Sequence, residues 1–86
     1  MDVDHFVIDM NIKYNSIELE TRLKTIRENR GISQIELSKL SGVKLRSIQM
    51  YEQKVNNIDK AQAGTIYKLS RVLGCTIEDL LESPEI

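Results

Sequence analysis

The sequence has little of what small catalytic or secreted proteins are usually built from. It holds one cysteine, Cys75, and one histidine, His5. A single thiol permits no internal disulfide, and together the two residues fall short of the ligand set of a zinc site. Tryptophan is absent and the four aromatic residues are dispersed, so no platform exists on which single-stranded bases could stack. One proline and four glycines in 86 residues leave no glycine-rich phosphate loop, no low-complexity segment and no repeat. No apolar run approaches the roughly 18 residues of a membrane span, and no basic start followed by an apolar stretch and cleavage site marks a secretory signal. The expectation is a single small domain, cytoplasmic, with no enzymatic activity, no cofactor and no metal. A domain of this size buries only about 60% or a little more of its unfolded surface, so dimerisation often supports it.

Charge is also scarce in sum, at −1, but it is unevenly placed. Residues 21–60 hold nine Lys and Arg against four acids, a surplus of five, while both flanking segments are acidic. A basic middle block suits phosphate binding, and equally suits a solvated helix face.

Helical periodicity accounts for most of the chain. Leu19, Leu23 and Ile26 predict a first helix over about 16–30, begun by a capping pattern at Asn15, Ser16 and Glu18 and ended by Gly31. Ser33 with Glu36 opens a second helix with Leu37 and Leu40 on its apolar face, closed near Gly42. A third follows Val43, with Ser47, Ile48 and Tyr51 on one side. Asp59 is placed to cap a fourth over about 60–73, with Ala63, Ile66, Leu69 and Leu73 inward. Gly74 ends it, and Thr76 with Asp79 opens a short fifth helix carrying Ile77, Leu80 and Leu81. Tyr51 and Tyr67 read as core or half-core aromatics. Cys75 reads as a small core residue, the alternative being a redox-sensitive thiol at a helix start.

The first fifteen residues follow another rule. In "HFVIDMNIKY", Phe6, Ile8, Met10, Ile12 and Tyr14 alternate, which is the period of a half-buried strand. One strand alone cannot satisfy its backbone, so this extension, about 5–14, is expected to pair between subunits, the alternatives being a strand added to another protein or a loosely ordered arm.

Two short helices joined at "LSGV" meet the needs of a helix-turn-helix. Gly42 accepts the left-handed backbone of the turn and Val43 pins the second helix to the first. On the third helix, Arg46, Gln49, Met50 and Gln53 fall opposite Ile48, with Leu45 at the edge. Arg can fork onto guanine, Gln can pair with adenine, and Met or Leu can meet a thymine methyl. Lys44 stands where a helix N-cap oxygen is usual, a cost that a nearby phosphate would reverse.

Residues 23–82 resemble the phage-repressor and Cro type helix-turn-helix family, also called the xenobiotic response element (XRE) family. The resemblance rests on the Arg of helix 1, "SQIEL", "GV", "IQMYE" and the closing "LGCTIEDLL". It implies an all-α, five-helix, lambda-repressor-like domain over about 16–82, with the helix-turn-helix at about 33–53, an N-terminal strand-like extension over 1–15 and a frayed tail at 83–86. It further implies a prokaryotic transcription regulator, expected to be a repressor, that reads a palindromic operator in double-stranded DNA as a homodimer in the cytoplasm, associated with the nucleoid. Carried over to this chain, Leu45, Arg46, Gln49 and Met50 read bases. Gln34, Lys44, Gln53, Lys54, Asn56 and Asn57 meet phosphates. Arg27 and Glu52 form a structural pair that ties helix 1 to the end of helix 3.

Three departures stand out. Ser38 replaces a frequent Ala, Lys54 a frequent Gly, and Ile35 a polar residue. Ile35 and the extension also suit a second reading, an antitoxin-like or adaptor module that binds a protein such as a toxin, with DNA binding kept for autoregulation or lost.

Overall fold

The computed structural model describes residues 20–83, and the strand expected over 5–14, with Phe6, Ile8, Met10, Ile12 and Tyr14, lies outside them. Five α-helices follow in order: α1 (Arg22–Asn29), α2 (Gln34–Ser41), α3 (Leu45–Glu52), α4 (Ala63–Leu73) and α5 (Ile77–Leu80), with a 3-10 turn at Ile58–Lys60 before α4. Among the described residues there is no strand.

Local chemistry sets most boundaries. The Ser33 hydroxyl accepts from the Glu36 amide at 3.0 Å while the Glu36 carboxylate accepts from the Ser33 amide at 2.8 Å, a reciprocal box that satisfies two amides at the start of α2. Thr76 and Asp79 repeat it at α5. Those bonds from Thr76 hold the Asp79 carboxyl below the usual carboxylate range. Gly42 ends α2 at φ 81°, a left-handed conformation that costs any residue with a Cβ about 1–2 kcal/mol.

Four expected boundaries or faces are corrected. The first helix begins at Arg22, because Thr21 has extended backbone and its side chain accepts from the Lys24 amide at 3.1 Å. Asp59 does not cap α4, whose N-cap is Gln62 without a side-chain bond. The Asp59 carboxylate instead accepts from the Glu82 and Ser83 amides at 2.7 and 3.1 Å, fastening the end of the domain. Leu40 is 66% exposed. It lies in the last turn of α2, while the Ser38 hydroxyl donates to the Val43 carbonyl at 2.7 Å and marks the side that meets the turn. Ala63 is exposed for a similar reason, as the first residue of α4, ahead of the inward line that starts at Ile66.

The core gathers Leu23, Leu37, Val43, Ile48, Ile58, Ile66, Leu69, Leu73 and Leu80 from every element. Each such side chain contributes about 1.5–3 kcal/mol on burial. Helix α2 packs on α3 and α4, α1 on α3 and α5, and α5 on α4, so α3 is held from two sides. Arg30 adds a cross-tie: its Nε donates to the Leu73 carbonyl at 2.7 Å, placing a cation at the negative end of α4. Tyr51 is half-buried against the core, whereas Tyr67 is exposed, one position past Ile66 on α4, with Arg71 donating to its hydroxyl at 2.8 Å. Cys75 packs at the core edge, where burial, and secondarily the Asp79 carboxylate, push its thiol up, away from the thiolate a redox sensor needs.

Candidate nucleic-acid interface

Helix α3 starts without help from its own side chains. Lys44 is its N-cap in extended backbone, with no side-chain cap bond, so a cation stands at the positive end of a helix. Ile48 faces inward at 0% exposure. Arg46 is exposed, and Leu45, Gln49 and Met50 are half-exposed on the far side. Among the described residues the Arg46 guanidinium and the Gln49 amide donate to no protein group, leaving their hydrogen-bonding capacity for a partner. The Met50 sulfur lies 4.0 Å from the Asn56 amide nitrogen. Hydrogen-bond donors and apolar groups therefore share one stripe of a helix whose back is anchored.

The end of α3 is fixed by a buried ion pair. Arg27 Nε and Nη2 donate to the two Glu52 carboxylate oxygens at 2.7 and 3.0 Å, a forked arrangement. Arg27 Nη1 also donates to the Ile32 carbonyl at 2.8 Å. The Glu52 side chain is 3% exposed, and its hydrogen bond, with its charge, raises the Arg27 pKa despite burial. Gln34 joins this cluster: its Nε2 donates to Glu52 Oε1 at 2.9 Å. The Gln34 amide is thus held at the C-terminal end of α3 by a partner the sequence did not reveal.

Beyond Glu52, Lys54 takes φ 63°, so the left-handed geometry of a frequent glycine is kept by a side chain that strains it. Lys54, Asn56 and Asn57 come together around an open groove of about 290 Å³ beside Tyr51. Asn57 Oδ1 accepts from the Asp59 amide at 2.9 Å and caps the 3-10 turn. Glu82 also borders this groove, its carboxylate accepting from the Arg22 amide at 2.9 Å. Gln53 is exposed at the C-cap of α3. The expected phosphate residues other than Lys44 therefore lie at or just beyond the C-terminal end of α3.

A capped helix, a left-handed glycine turn and a second helix with an unspent polar stripe are the parts of a DNA reader, and the family model for the helix-turn-helix matches residues 23–80. The chain belongs to the helix-turn-helix family. It is an XRE-type DNA-binding regulator by that membership, and the family is one of DNA-binding domains rather than enzymes. No curated protein and no solved structure matches it. Among the described residues no helix is long and apolar enough to cross a membrane, and no group of His, Cys, Asp and Glu could hold a metal ion.

Proposed function

We propose that this helix-turn-helix protein is a sequence-specific repressor that reads an operator in double-stranded DNA with α3. The observation that supports it most is the stripe of Leu45, Arg46, Gln49 and Met50, half or fully exposed and with its Arg and Gln donors unengaged among the described residues. A major groove offers these side chains distinct acceptor, donor and methyl patterns. Lys44, Gln34, Gln53, Lys54, Asn56 and Asn57 are assigned to phosphates, which set register without reading sequence.

Selection of bound duplexes from a randomised pool tests this directly. A defined motif is expected. Arg46→Ala should then cost about 1–3 kcal/mol on the selected duplex and relax preference at one base pair. Retention of the full preference by the variant would remove Arg46 from the reading set.

Within the same reading the protein acts as a homodimer in the cytoplasm, on two half-sites about 34 Å apart. The alternating residues Phe6, Ile8, Met10, Ile12 and Tyr14 are assigned to subunit pairing. Sizing the protein with and without residues 1–15 checks it: loss of the dimer is expected, and an unchanged dimer would place the interface elsewhere. The antitoxin-like alternative is favoured by Ile35, 53% exposed on α2. A tight complex with a co-expressed protein, and no salt-dependent retention on DNA, would decide for it.

A further inference from the structure

The expected phosphate contacts are lopsided. Gln34, Gln53, Lys54, Asn56 and Asn57 sit at or past the C-terminal end of α3, and Lys44 alone stands at the other. An eight-residue helix is about 12 Å long, close to the width of the major groove, so phosphates come within reach of both its ends.

Along one flank of α3, from Lys44 at its N-cap to Tyr51 in its last turn, the fold builds a notch of about 330 Å³ against the helix turn and the first half of α4. Lys44 and Lys68 line it from different elements, together with the hydroxyl-bearing Ser47, Tyr51 and Thr65. No carboxylate lines it. Among the described residues neither ammonium has an acidic partner within 4 Å, and none of the three hydroxyls is engaged by a protein group. Lys24, by contrast, is paired with Glu20 at 3.8 Å. A notch bordered by two cations without an acidic partner and three unspent hydroxyls suits an oxyanion.

We infer that this notch is a phosphate clamp: Lys68 on α4, with Lys44 and the Thr65 hydroxyl, holds a backbone phosphodiester of the same duplex that α3 reads. The inference rests on the proposed DNA reading and adds a residue outside the helix-turn-helix to the contact surface. Lys68 positions the protein on the duplex and carries no sequence information.

The test is the salt dependence of binding to a mixed-sequence duplex of about 24 base pairs, measured for the full chain. Each phosphate neutralised contributes about 0.9 to the slope of log K against log salt concentration. Lys68→Ala should lower the slope by about 0.9 and weaken binding on the order of tenfold at 0.1 M salt. Lys68→Arg should restore most of it. Lys24→Ala, which removes the same charge elsewhere, should leave the slope unchanged. On the selected duplex, Lys68→Ala should leave base preference intact, and a neutral methylphosphonate at the contacted position should weaken the wild type more than the variant, which keeps only Lys44 there. An unchanged slope for Lys68→Ala, with Arg46→Ala still altering preference, would overturn the clamp and leave the DNA reading standing. If the wild type retains no duplex at any salt concentration, both fall.

Discussion

Arg27→Ala is expected to lower the unfolding free energy by about 3–5 kcal/mol. The guanidinium makes three hydrogen bonds at 2.7–3.0 Å, two to Glu52 and one to the Ile32 carbonyl. Its removal leaves the Glu52 carboxylate, 3% exposed, with the Gln34 amide and no cation. An unpaired buried charge is the costly state, far more so than a lost surface pair. A domain of this size has a total stability of only a few to about ten kcal/mol, so the variant should be substantially unfolded at 37 °C. Urea unfolding followed by circular dichroism measures it. Arg27→Lys should recover only part of the loss, since an ammonium cannot fork onto both oxygens and still reach Ile32. Replacing Arg27 and Glu52 together by Met should recover more, because no charge is then stranded. The deficit of Arg27→Ala should persist in high salt, which screens exposed pairs and leaves buried ones largely untouched. A loss under about 1 kcal/mol would mean that the pair is not the brace at the end of α3.

How much of this was legible in the sequence follows from distance along the chain. The caps at Ser33 and Thr76 could be read because both partners lie within three residues. Gly42 and Gly74 could be read because the left-handed backbone each adopts is nearly private to glycine. The Arg27 and Glu52 pairing came through resemblance alone, since nothing in a spacing of 25 residues predicts a contact. Periodicity fixes an angle around a helix but not how far the neighbouring element extends. Leu40 has an acceptable angle and projects past the edge of the core. Asp59 had a plausible local use and lost it to distant amides at Glu82 and Ser83, which offered two bonds at once. The notch shared by Lys44 and Lys68 was invisible for the same reason, as it exists only once α4 crosses beside the turn.

Ile48→Ala should cost about 2–5 kcal/mol, and its consequence for function is distinct from that of Arg27→Ala. Ile48 is fully buried and adjoins Gln49 in the sequence, so the side chain that anchors the back of α3 is one residue from the stripe proposed to read bases. Its removal leaves a cavity in a core that also holds Leu37 from the helix before and Val43 from the turn between. Relaxation into that space must move α3 relative to α2, and with it the whole stripe. Ile48→Val, which removes one methylene, should cost about 0.5–1.5 kcal/mol and leave affinity for the selected duplex unchanged once binding is corrected for the folded fraction. Ile48→Ala should lose affinity even after that correction, with the loss spread over all base positions rather than confined to one. That pattern would separate placement of the reading helix from the contacts it makes. If corrected affinity were instead equal to wild type, α3 would owe its position to the turn and to Glu52, and Ile48 would serve stability alone.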